Sequence, residues 1–230
     1  MTNIFKLISD STLEVINTDG DLVGYSFVIN FVNEEKNNSV RPFLIVNKEI
    51  LESNELLSIV FDSVNNGKNE KHRLNFSKDF IANFEIEESG IVALPLAQTL
   101  NDLSKKGVTI QLNGFPNSLI PDEKEMHSLN EVNEFTWFSY DNVLKTMICN
   151  QGKNVTLIGD KFDTYIKTKQ DCNGAPAFIV NIGAFAVDNS INVGTRILFY
   201  GYFGPSVNGY SKVFSAFDLS RSIKKKFDFE

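Results

Sequence analysis

Apolar residues in this chain come in short runs rich in aromatic and β-branched side chains, such as Leu44 to Val46, Val108 to Leu112 and Ile197 to Tyr202. Runs of that length and composition favour strands over helices. With 20 Phe, 6 Tyr and 1 Trp in 230 residues, the chain has the aromatic content of a strand-rich protein and the length of one compact unit with a substantial core. Asn-Gly recurs at Asn66, Asn113, Asn173 and Asn208, which marks turns between such runs. Helix is scarce. Leu96, Leu100 and Leu103 share a face within Leu96 to Lys105 and suggest a short helix. Ser215 to Lys226 is the better candidate, with Phe217, Leu219 and Ile223 on one side and Lys224 to Lys226 at its C-terminal end, where cations suit the helix dipole.

One segment carries more than fold information: Asp171, Cys172, Asn173, Gly174, Ala175, Pro176, Ala177, Phe178. It resembles the nucleophile loop of trypsin-like (chymotrypsin-fold) serine peptidases, in which a sharp turn holds a Ser between glycines ahead of a small residue, Pro and an apolar strand. Asn173 stands where that Ser would be. Gly24 to Phe31 resembles the family's early strand pair, and Pro42 to Leu51 the strand and half-turn ending in the catalytic His, with Glu49 in the His place. Gly90 to Leu96 resembles the strand that opens with the catalytic Asp, with Gly90 in the Asp place. Gly114 to Asn117 and Val213 to Ile223 resemble the family's Gly-Tyr-Pro segment and closing strand and helix. The resemblance, to bacterial members with a degenerate triad, implies an all-β fold of two packed antiparallel six-stranded barrels with a short C-terminal helix. The N-terminal barrel would span residues 1 to about 106 and the C-terminal barrel about 107 to 230. It places a loop, not a helix, near Leu96 to Lys105.

Triad chemistry needs a nucleophile, a base within hydrogen-bond reach and a group orienting that base. An Asn amide has no proton that a base removes to make a nucleophile, and a Glu is ionised near neutral pH. The resemblance therefore implies a pseudoprotease, not an enzyme. Asp171 stands where the family keeps a Gly, so its carboxylate can occupy the oxyanion hole itself. The alternative is a cysteine hydrolase using Cys172, against which stand the register of the loop and the place of the only histidines, His72 and His127, off the His-like strand and read as surface residues. Deamidation at Asn173-Gly174 reads as a side reaction.

A net charge of −7 and a pI near 5.0 disfavour nucleic acid as a partner. No run approaches a membrane span and the N-terminal residues lack a secretory leader pattern, so the expected location is cytoplasmic and no membrane partner is expected. Cys149 and Cys172 are too few for a disulfide framework. No metal or cofactor is expected: the acidic clusters Glu85, Glu87, Glu88 and Asp122, Glu123, Glu125 lack the alternation of a calcium loop and read as solvated faces. Asn33 to Ser39 and Asn65 to Lys71 read as exposed loops.

The expected function is then a binding or regulatory module whose groove captures a protein or peptide. Its border would be formed by Glu49, Gly90, Asp171, Cys172, Asn173, Gly174 and the strand after Asn181. Family analogy adds a role in a bacterial sensing or defence system, and a structural subunit of a larger assembly is a further alternative. Glu49 and Asp171, if they face the same groove, favour a basic ligand.

Overall fold

The computed structural model describes residues 4–33, 39–65, 67–86, 89–129, 134–141, 143–157, 164–168, 171–187 and 190–228. Two antiparallel β layers account for most of them. The first is a nine-stranded sheet: β1 (Thr12–Ile16), β2 (Leu22–Asn33), β3 (Ser39–Asn47), β4 (Leu56–Asn65), β5 (Lys68–Ser77), β6 (Glu85–Ile86), β7 (Ile91–Pro95), β8 (Val108–Ile110) and β9 (Phe115–Pro116). Its path runs β5-β4-β1-β2-β3-β7-β6, with β8 on β4 and β9 parallel to β2. The second is a closed barrel of six: β10 (Glu134–Asp141), β11 (Thr146–Leu157), β12 (Thr164–Lys167), β13 (Pro176–Val187), β14 (Ser190–Val207) and β15 (Tyr210–Ser215), in the order β10-β11-β12-β15-β14-β13. This is the all-β arrangement of two packed antiparallel layers with a C-terminal helix expected from the sequence, except that the first layer is a nine-stranded sheet and only the second closes into a six-stranded barrel, where two six-stranded barrels were expected. The first layer reaches past the boundary expected near residue 106, because β8 and β9 pair into it.

Strand alternation explains why so much of the chain reads as unbroken apolar runs. On β2, Phe27, Ile29 and Phe31 face a core shared by both layers, while Val28 faces the first layer's own core. Phe43 and Ile45 on β3 and Ile91 and Ala93 on β7 do the same, with Leu44, Val46, Val92 and Leu94 on the other side. A strand buried on both faces has no polar positions to alternate with. The shared core is aromatic. Phe115 and Phe199 lie 4.4 Å apart between ring centroids, with Phe27 and Phe178 5.3 and 5.4 Å from Phe199. The barrel's own core holds Trp137, Ile166, Cys172, Phe203 and Val213.

Among the described residues, helices α1 (Ile4–Ser11), α2 (Lys48–Glu52), α3 (Lys78–Ala82), α4 (Ala97–Lys105), α5 (Glu123–Ser128) and α6 (Ala216–Phe227) sit around the sheets. At 97–105 the leucine spacing outweighs the loop implied by resemblance: Leu100 and Leu103 pack on the first layer's core. For α6, the Ser215 side chain accepts from the backbone N–H groups of Phe217 and Asp218, a cap contributing about 1 kcal/mol. Ala216, Leu219 and Ile223 enter the shared core, which leaves the opposite face of α6 outward. Of the stretch 65–71 expected as a loop, Lys68 onward is strand, because Gly67 at φ +79° turns β4 straight into β5. Residues 34–38 of the other expected loop, and Asn66, lie outside the described residues.

Candidate functional site

Helix α2 follows β3 directly because Asn47 caps it: the Asn47 side-chain oxygen accepts from the Glu49 backbone N–H at 3.2 Å. The other end of the same amide points across to the second layer. Asn47 Nδ2 donates to Asn173 Oδ1 at 2.8 Å, a bond buried between residues 126 apart in sequence. The resemblance assigns the neighbouring place to Glu49, yet Glu49 is exposed, and it is Asn47 that meets Asn173.

The 171–175 turn is held from every side. Asn173 O accepts from Tyr25 N at 2.8 Å, Gly174 N donates to Phe203 O at 2.7 Å, and Ala175 N donates to Cys172 O at 2.8 Å. Ala175 O accepts from Phe203 N at 2.9 Å. Asp171 Oδ1 accepts from Asn173 N at 3.0 Å, so the N–H that resemblance would aim at a substrate oxyanion is already engaged by the chain's own carboxylate. Gly174 sits at φ +83°, and a Cβ there would lie 2.0 Å from Tyr25 O. Only glycine fits that approach. Gly90, at φ +64°, accepts from Lys48 N at 3.0 Å through its carbonyl, so the Asp-like place supports the start of α2 with backbone alone.

Cys172 turns inward. Its side chain is fully buried in the barrel core, its Sγ donates to Ser211 Oγ at 3.7 Å, and burial pushes its thiol up to about 12. A thiol kept protonated and out of solvent is not a nucleophile, so the geometry opposes the Cys172 hydrolase. His72 lies half-buried on β5 and His127 is exposed on α5.

Beside the turn, and sharing Asn47 with it, opens a cavity of about 820 Å³. The first layer contributes Asn47, Lys48, Glu49, Glu52, Ser89 and Gly90. Opposite them stand Tyr202, Lys212 and Phe214 from the barrel and the outward face of α6 from Asp218 to Lys225. Tyr202 and Phe214 stack at 5.2 Å, Tyr202 OH donates to Ser89 O at 2.9 Å, and Lys212 Nζ lies 4.5 Å over the Phe214 ring. Thus Glu49, Gly90 and, through Asn47, Asn173 are brought to one place. Asp171 is not: it is exposed, bonded back to its own turn, and does not line the cavity. The expected pairing of Glu49 with Asp171 as an acidic groove is therefore corrected, and five of the lining side chains are cationic. Sequence reasoning missed Asn47, Tyr202, Lys212 and Arg221. Only the cap position of Asn47 was within reach of a local pattern.

Among the described residues no group of three or more His, Cys, Asp or Glu side chains could hold a metal ion, and no helix is long and apolar enough to cross a membrane. Glu85 pairs with Lys48, Asp122 caps α5 and Glu125 pairs with Arg196, while Glu87 and Glu88 lie outside the described residues.

No family model matches the chain, and no curated protein does. Among solved structures it is similar to a human pathogenic astrovirus serine protease, at 9% identity and a TM-score of 0.41, with 90% of each chain covered. The expectation that this chain is not an enzyme is withdrawn: the protein it is similar to is a serine protease, and the likeness offers no positive support for a non-enzymatic reading.

Proposed function

We propose that this protein is a binding module on a trypsin-like scaffold, and that it captures a protein or peptide segment in the cavity between α2, β15 and α6. The observation that carries the reading is the cavity itself. It opens at the junction of the two layers, has a volume in the range of ligand sites, and is lined by half-buried Phe214, backed by the buried Tyr202 ring, beside a turn whose polar groups are satisfied internally. A rigid wall next to an open, mixed polar and aromatic concavity suits recognition of a segment without much reorganisation on binding. A regulatory adaptor in a bacterial sensing or defence system and a subunit of a larger assembly are two settings of this same role. The test is selection of binders from a random-sequence peptide library unbiased in charge. Enriched peptides should crosslink to α6 or α2 when they carry a photoreactive group, and mass spectrometry of the same mixtures reads any cleavage. A library with no enriched member, or crosslinks confined to strands remote from the cavity, would overturn the proposal.

A further inference from the structure

The charge of the cavity runs against the charge of the chain. Over the whole sequence Asp and Glu outnumber Lys and Arg by 29 to 22, yet the cavity is lined by five cationic side chains and three anionic ones. Lys48 is committed to the first layer, donating to Glu85 and lying 3.8 Å from Glu52. Besides Lys48 and Glu52, the cavity is lined by the cations Lys212, Arg221, Lys224 and Lys225 and by the anions Glu49 and Asp218.

The helix dipole accounts for part of this, since Lys224, Lys225 and Lys226 occupy the last turn of α6. It does not account for the rest. Lys212 comes from β15, and Arg221 stands earlier on α6, with its guanidinium 5.6 Å from the Phe217 ring. Lys226, in the same last turn, is absent from the cavity and donates to Glu85 O. Neither Arg221 nor Lys224 has an ion-pair partner among the described residues. Cations from two different elements therefore converge on one concavity, where low-dielectric walls focus the field and make it felt by an incoming anion.

The floor adds a second requirement. Half-buried Phe214 lines the cavity with the buried Tyr202 ring stacked behind it, an apolar surface that a bare inorganic ion would leave uncovered. We infer that the cavity recognises an anionic peptide segment, whose carboxylate or phosphate oxygens are received by Arg221, Lys224 and Lys212 while an apolar side chain lies against Phe214. The inference rests on the partner-binding reading and names the chemistry of the partner. Arg supplies a planar fork that matches either oxyanion.

Fluorescence anisotropy with labelled peptides of matched length tests it: one Asp/Glu-rich, one phosphorylated, one neutral, one Lys/Arg-rich. The acidic or phosphorylated peptide should bind more tightly than the basic one and weaken as salt rises from about 0.05 to about 0.5 M. Whichever of the two binds more tightly identifies the source of the anion. Arg221→Ala/Lys224→Ala should lose roughly tenfold in affinity for it, while the distant Lys71→Ala/Lys105→Ala, equal in charge change, should lose little. Circular dichroism confirms that both variants fold; if the first does not, Arg221→Gln and Lys224→Gln are read singly. Basic peptides binding as tightly as acidic ones, an unaffected Arg221→Ala/Lys224→Ala variant, or complete displacement by an equal concentration of inorganic phosphate would each overturn the inference. Library binders that are neutral or basic and indifferent to these substitutions would sink the inference alone. Failure of every peptide would sink the binding module with it.

Discussion

The turn at 171–175 and the cavity next to it share Asn47 but are built on opposite terms. In the turn, six backbone groups and the Asn173 amide find partners inside the protein, and Asn173 is only 8% exposed. In the cavity, charged side chains from three elements face open space. Buried hydrogen bonds fix geometry because each unpaired group would cost about 1–3 kcal/mol. Exposed like charges gathered in a concavity do nothing comparable for folding. The turn is explained by stability, and the cavity is what the proposed binding role accounts for.

The strongest way to break this contrast is at Gly174. A Cβ 2.0 Å from the Tyr25 carbonyl, at φ +83°, cannot be accommodated by moving a flexible side chain. Gly174→Ala should therefore cost about 3 kcal/mol or more in urea unfolding, while the same substitution at Gly20, where a Cβ meets nothing within 4 Å, should cost less. Equal losses would show that the turn is not the tightly held element described here.

Asn47→Leu should cost about 2 kcal/mol, since it removes the α2 cap and strands the Asn173 oxygen together. Asn47→Leu/Asn173→Leu should fall short of the sum of the single losses. Strict additivity in that cycle would mean the two amides do not act on each other.

Buried acids give the turn a pH signature. Burial raises both Cys172, ordinarily 9.0, and Tyr25, ordinarily 10.0, to about 12. Above pH 9 the unfolded chain releases protons that the folded chain keeps, so stability is complete below pH 9 and falls as pH rises toward 12. The slope should be about 1.4 kcal/mol per pH unit for each proton. Cys172→Ala should flatten the first part of that decline, and an unchanged profile would contradict the burial of the thiol. Exposed Cys149 should react with a thiol reagent in the folded protein while Cys172 reacts only in denaturant.

How far these features were legible in the sequence follows from the distance over which each is encoded. The Asn208-Gly209 turn was readable because its positive φ values, 54° and 76°, are a local demand that this dipeptide meets. The apolar runs marked β3 and β14, and α6 fell within one residue of its expected bounds, because cap, apolar face and terminal lysines are contiguous. Sequence periodicity also gave α4, where the resemblance misled. The Asn47 to Asn173 bond was not legible, as nothing within either segment specifies a partner 126 residues away. The cavity was hidden for a related reason. Its net charge comes from β15 and α6 meeting α2, whereas reading Glu49 and Asp171 by position alone suggested the opposite sign.

Those two carboxylates supply the finest test of the contrast, because each belongs to only one of the two regions. Asp171→Asn weakens a charge-assisted bond to Asn173 N and should cost about 1 kcal/mol of stability, yet leave the affinity for an acidic peptide unchanged, since residue 171 does not line the cavity. Glu49→Gln should do the reverse. Its carboxylate is exposed, so stability should change by less than about 0.5 kcal/mol, but removing a negative charge from the cavity should tighten an acidic peptide roughly two- to fivefold at low salt. Both substitutions remove one negative charge from the chain, so a general effect of net charge would move them together. Only a difference of place, one carboxylate inside a hydrogen-bonded turn and the other on the wall of the cavity, separates stability from affinity in this way.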